Sequence, residues 1–240
     1  MRFQAGSSMF IICSTGRCGT QAVCEGLNRF SDHEVRHEPA PRLLREAYLK
    51  HYRQAHQTPE LEARLEFFRS QAGKAYGESF RAPNLLPEIH AAVPEARFLV
   101  IIRNPLQYVQ SAHSMQVFRK GGEWDDTRIT PLELRDRFER LPLAEKIAWH
   151  WVALNRYLLD FAESTGAQVK TVLLGSLEKD LPEWAEFLGV RIKNPRGLES
   201  FLKQRPNSRP AGGLPEGYDE ARLPEICHTE WNRALSLANR

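Results

Sequence analysis

Three short stretches of this sequence gather side chains suited to holding an anion or accepting a proton. The first is Ser14-Thr15-Gly16-Arg17-Cys18-Gly19-Thr20, in which two glycines flank a cation and a hydroxyl closes the run. Glycine allows tight turning and close approach of backbone to a ligand. A helix starting here, with Gln21 in its first turn, would offer unpaired N–H groups and a positive dipole end to a phosphate or sulfate. Taken alone, the loop equally fits a plain strand-to-helix turn. The second stretch is Arg103 with Ser111 nearly two helical turns beyond it. A guanidinium fork and a hydroxyl suit a terminal phosphate, although either residue alone fits a salt-bridged strand end or a solvent-facing serine. The third is His37-Glu38-Pro39. The ordinary pKa of histidine suits base work, and Pro39 restricts Glu38 to extended or turn backbone. The bland alternative is a packed histidine beside a surface carboxylate.

The elements that must position these residues follow from hydrophobic patterning. Met9 to Cys13 is an apolar run too short for a helix and reads as a buried parallel strand. Val23, Leu27 and Phe30 recur at helical spacing after it. Glu34–His37, Lys74–Glu78, Phe98–Ile102 and Val169–Leu174 are the further strand candidates, with Phe98–Ile102 the strongest. Helices are predicted within 41–72, over 85–92, from Pro105 to about Met115, over 142–164, 181–188 and 220–237. Ile147, Trp151, Leu154 and Leu158 form one stripe of the longest. Strands alternating with helices imply a three-layer α/β fold, a central parallel sheet flanked by helices, in a single domain spanning 1–240. Ligands of such sheets bind beyond the carboxyl ends of the strands. The loops after Cys13, His37, Glu78 and Ile102 should therefore share one cleft.

Composition narrows the function classes. The 240 residues carry 33 basic and 30 acidic side chains, a formal charge of +3 without long runs, which gives no warrant for nucleic acid as a partner. No stretch reaches the roughly 20 apolar residues of a membrane span, and Met1 to Met9 does not read as a secretory signal. Cys13, Cys18, Cys24 and Cys227 show neither CxxC nor zinc spacing and read as reduced thiols of a cytoplasmic protein. Cys18, at the expected helix start, is either a low-pKa thiol or a packed one. The first loop is not a Walker A motif, because Thr20 rather than Lys follows Gly19. Ile102 is followed by Arg103 rather than by an acid, so the magnesium site of a nucleoside triphosphate enzyme is not expected.

Together the motifs resemble those of the sulfotransferases that use 3′-phosphoadenosine-5′-phosphosulfate (PAPS), whose fold is related to the P-loop kinases. Ser14 to Thr20 is similar to the arginine-containing form of their 5′-phosphosulfate loop. Phe98-Leu99-Val100-Ile101-Ile102-Arg103-Asn104-Pro105 through Ser111 is similar to their 3′-phosphate motif. The resemblance implies sulfuryl transfer from PAPS to a hydroxyl, less readily an amine, without a metal. The cofactor set it implies is Ser14, Thr15, Gly16, Arg17, Cys18, Gly19, Thr20, Gln21, Arg103 and Ser111, with Asn207 and Arg209 from the Pro- and Gly-rich segment 205–213. It places the general base at Glu38, with His37 and Glu78 as alternatives, and Arg17 on the moving group. Lys74, Glu78 and Ser79 lie in a region that supplies acceptor contacts in relatives, and the helical segments near 41–72 and 115–141 are expected to wall the pocket. The acceptor is a small molecule, a carbohydrate or a peptide; the sequence does not choose among them, nor does it set an oligomeric state. Two other readings stay open: a P-loop kinase or NTPase, and a nucleotide-binding module without catalysis.

Overall fold

The computed structural model of the chain describes residues 9–53, 58–115, 117–118, 128–164, 166–204, 214 and 218–239. Its strands are β1 (Phe10–Ser14), β2 (Glu34–His37), β3 (Tyr76–Phe80), β4 (Arg97–Ile102) and β5 (Gln168–Leu173). They form one parallel sheet in the order β2-β3-β1-β4-β5. The helices are α1 (Thr20–Phe30), α2 (Leu43–Arg53), α3 (Pro59–Gln71), α4 (Leu86–Ala92), α5 (Pro105–Ser114), α6 (Leu143–Ser164), α7 (Leu177–Leu188), α8 (Pro195–Lys203) and α9 (Glu225–Ala238).

The period-2 alternation of a strand explains the layering. Ile11 and Cys13 of β1, with Phe98, Val100 and Ile102 of β4, face one core, against α3, α4 and α6. Phe10, Ile12, Leu99 and Ile101 face the other, against α1, α7 and α8. Both faces are covered, so β1 and β4 read as unbroken apolar runs. From central β1 the chain leaves through α1 to β2, while β3 crosses β1 to reach β4. That reversal opens a crevice at the carboxyl end of β1.

Several expectations need correction, among them the terminal helix, which runs Glu225–Ala238 rather than from 220. The third strand runs Tyr76–Phe80 rather than Lys74–Glu78. Gly73 (φ 72°) and the bond from Lys74 N–H to Gln71 O place residues 73–74 in the turn after α3. The helix expected at 181–188 begins at Leu177, with Pro182 inside it, because the N–H groups of Lys179 and Asp180 both bond to Ser176 O and start the first turn upstream. Helix α8 was not foreseen; Asn194 Oδ1 accepts from Gly197 N–H to cap it, but only Leu198 and Leu202 are buried, too few for a clear period. The described residues of 115–141 hold only two single turns, at Leu132–Leu134 and Phe138–Arg140.

Close packing at the sheet centre gives a direct test. A Cβ on Gly77 would lie 2.1 Å from Cζ of the fully buried Phe10. Gly77→Ala should lower the unfolding free energy by about 1–3 kcal/mol, read as a lower urea midpoint at constant slope; an unchanged midpoint contradicts this packing.

Candidate active site

The loop after β1 is curled by left-handed backbone at Gly16 (φ 79°), Arg17 (φ 58°) and Gly19 (φ 71°). Ser14 Oγ accepts from Gly16 N–H at 3.1 Å and fixes the entry. Gly19 gives α1 no side-chain cap, as is also so for α4, α7 and α9, whereas α3, α5 and α8 carry a Thr or Asn cap that accepts from a first-turn N–H. The first-turn amides of α1, Thr20 to Ala22, are thus left for another acceptor at the mouth of the crevice. Thr15 and Cys18 are buried beneath the loop, with Cys18 Sγ 3.2 Å from Gly16 O. Burial pushes the Cys18 thiol up, which disfavours the thiolate. The Gln21 side chain turns outward to Glu25 Oε1 at 2.8 Å.

The loop after β4 closes onto this one. Arg103 Nη1 donates to Arg17 O at 2.7 Å, and Arg17 Nε donates to Ser111 Oγ at 3.1 Å. The sheet register places Ser14 beside Ile101, which brings the two loops to one level. Asn104 caps α5 by accepting from Gln107 N–H, and Pro105 opens that helix, so Ser111 is carried back toward Arg17. Trp151 of α6 donates Nε1–H to Arg103 O at 3.0 Å and anchors the strand end. Arg103 Nε is buried with no partner, and burial pulls this guanidinium below its usual pKa. A desolvated cation bonded to a carbonyl, with a spare buried N–H, has the chemistry to hold an anion.

His37 and Glu38 arrive at the same edge from β2. His37 Nε2 lies 3.3 Å from Thr20 Oγ1 and 3.6 Å from Glu38 Oε1. Burial holds the His37 imidazole below its ordinary pKa, against the raising effect of Glu38, which favours the neutral ring. Glu38 departs from the extended or turn backbone expected before proline and is left-handed (φ 44°). Contacts to the end of β3 hold it there: its N–H donates to Ser79 Oγ at 3.2 Å, and Oε2 lies 2.7 Å from Arg81 Nε.

Arg81 is the residue that sequence reasoning missed. It is the first residue beyond β3, and its Cδ would sit 3.0 Å from a Cβ on Gly16. One guanidinium thus spans from the anion loop to the carboxylate. Ending the strand two residues early concealed it; a cation directly after a strand at the carboxyl edge was the available signal. A shallow groove, open to solvent, adjoins it, with Glu38, Arg81 and Leu44 among its walls.

Solved structures share this architecture. A sulfotransferase from Alicyclobacillus acidocaldarius superposes with a TM-score of 0.55 at 17% identity, over 96% of this chain and 95% of that one. The chain has the sulfotransferase fold. The sulfotransferase domain of the Synechococcus PCC 7002 olefin synthase aligns with a TM-score of 0.45 at 14% identity, over 99% and 97% of the two chains. The sulfotransferase domain from the curacin biosynthetic pathway aligns with 0.48 at 13%, over 96% and 98%. No protein-family sequence profile matches the chain, and no curated protein matches it.

Within this sulfotransferase fold Glu78 does not reach the cleft. It lies mid-strand, fully buried, on the face toward α3, where Arg64 pairs with it and Tyr76 Oη donates to Oε2 at 2.6 Å. Burial raises its pKa despite Arg64. Its candidacy as a base came from the resemblance, and its burial beneath α3 removes it from the cleft. Asn207 and Arg209 lie outside the described residues.

Removing the partner of Glu78 tests its structural role. Arg64→Met leaves a carboxyl in the core and should lower the unfolding free energy by about 3 kcal/mol or more at neutral pH. A raised folded pKa favours the protonated form, so the deficit should be least near about pH 4 and grow as pH rises through the folded value. Urea unfolding across that range checks it; a deficit that is absent or constant with pH contradicts the assignment.

Proposed function

We propose that this chain is a sulfotransferase that takes the sulfuryl group of PAPS, gives it to a hydroxyl acceptor and releases 3′,5′-ADP. The observation that carries the reading is the meeting of Arg17, Arg103 and Ser111 in one hydrogen-bonded network beside the uncapped start of α1. That network fits a nucleotide with anions at both ends, and the unpartnered buried Arg103 Nε supports the fit from the protein's side. In this reading the amides of the first loop and Arg17 hold the 5′-phosphosulfate, while Arg103 and Ser111 hold the 3′-phosphate. PAPS supplies the sulfuryl group, whose bond to the 5′-phosphate breaks as the acceptor oxygen bonds to sulfur.

The protein's own residues supply position, charge and a proton acceptor. Glu38 takes the proton that the acceptor hydroxyl loses. Arg81 fixes Oε2 of that carboxylate, leaving Oε1 on the His37 side for the proton. The Arg17 cation meets charge that develops on the transferring and leaving oxygens, where preorganised donors act most strongly. His37, bonded to Thr20 and held toward neutrality, orients the carboxylate from the other side. Among the described residues no group of three His, Cys, Asp or Glu side chains is placed to hold a metal ion, and no helix is long and apolar enough to cross a membrane.

Ligand-dependent melting tests the cofactor reading. 3′,5′-ADP at about 100 times its dissociation constant should add roughly 2.7 kcal/mol of stability without any divalent cation. Stabilisation by ATP with magnesium instead would favour a kinase or NTPase. Arg103→Ala should weaken 3′,5′-ADP about ten- to hundredfold and 5′-AMP far less, because only the former carries the 3′-phosphate. Equal weakening of both would reverse the nucleotide's orientation.

A further inference from the structure

We infer that the acceptor is a neutral alcohol with an apolar carbon body, seated against the segment that joins β2 to α2. This rests on the reading of Glu38 as the base and concerns the pocket beside it. Among the described residues that wall the pocket, only Glu38, Ser79 and Arg81 carry a polar side chain. Glu38 and Arg81 are paired with each other, and Ser79 Oγ already accepts from Glu38 N–H. The remaining wall is apolar, with Leu43, Phe80 and Ala82 buried as its floor and exposed Pro39 and Pro41 as its rim.

The backbone of that wall also has little to offer. Pro39 and Pro41 have no N–H. The N–H groups of Leu43 and Leu44 are spent on Ala40 O and Pro41 O, both at 3.1 Å, as α2 begins. The pocket therefore offers one polar edge, formed by Glu38, Arg81 and Ser79, and otherwise hydrocarbon. A sugar ring or a serine peptide would set polar groups against this hydrocarbon wall and forgo the apolar contact that an alkyl chain makes there, a loss of roughly tenfold or more in affinity. Two prolines within three residues hold the rim stiff, so ordering the wall costs little on binding.

The test uses the full chain saturated with PAPS and a homologous series of primary alkanols from ethanol to hexanol, with methyl glucoside and a serine peptide as comparison, and reads 3′,5′-ADP release. For an apolar pocket kcat/KM should rise about fourfold per methylene until the pocket is filled, and hexanol should exceed the sugar and the peptide by at least about a hundredfold. A flat series, or preference for the sugar or the peptide, overturns the proposal. Binding separates the two claims: in the presence of saturating 3′,5′-ADP, hexanol should bind, and Leu44→Asn should weaken it about tenfold without changing 3′,5′-ADP affinity. Leu44-dependent hexanol binding without turnover leaves the apolar pocket standing but overturns the alcohol as acceptor, and with it the reading of Glu38 as base beside that pocket. Turnover of hexanol that Leu44→Asn leaves unaltered sinks the pocket while sulfuryl transfer stands.

Discussion

The site depends on one charge-assisted hydrogen bond, from Arg103 Nη1 to the carbonyl of Arg17. It ties together loops from β1 and β4, which the sheet brings side by side but which lie far apart in sequence. Arg17 in turn reaches Ser111, so two cations and a hydroxyl are held at one end of the crevice. Gathering two guanidinium groups in a partly dry place is unfavourable unless an anion completes the set. The fold meets that cost with apolar packing beneath: β4 is buried along nearly its whole length, and Trp151 pins the carbonyl of Arg103 just beyond it.

A second constraint acts at the opposite wall. Arg17 and Glu38 both have left-handed backbone, a conformation that costs a non-glycine residue about 1–2 kcal/mol. Each is held there by tertiary bonds: Arg17 by the Arg103 guanidinium on its carbonyl, Glu38 by Ser79 on its N–H and Arg81 on its carboxylate. Strain held this way aims the two side chains into the crevice and limits their alternatives. Arg81 connects both halves, since it lies over Gly16 and against Glu38. The pocket beyond it is built from strand end and helix start, so Glu38 and the apolar wall belong to one corner of the fold.

Much of this was legible in residue order, for identifiable reasons. The run Phe98–Ile102 is buried on both faces and so is apolar throughout, which marks a parallel strand without ambiguity. Arg103 and Ser111 were legible because a strand end and a proline-opened helix fix their relative direction. β3 was harder, since Glu78 and Ser79 interrupt its apolar pattern, and the carboxylate is satisfied by Arg64 from α3, a partner no local window reveals. The two-residue shift that followed moved Glu78 to the cleft on paper and left Arg81 unread. The left-handed backbone of Glu38 was likewise invisible, because the rule for residues before proline is local and the bonds that override it are not.

The central claim is that Glu38 accepts the acceptor's proton while the paired arginines hold the nucleotide. Single-turnover release of 3′,5′-ADP from PAPS, with an acceptor that the wild type uses, tests it in Glu38→Gln. Glutamine keeps the size and one hydrogen bond but cannot take the proton. The account predicts a rate lower by about 10²–10⁴, with 3′,5′-ADP affinity nearly unchanged. A rate within about threefold of wild type, with His37→Asn abolishing transfer instead, would show that the imidazole is the base and contradict the account.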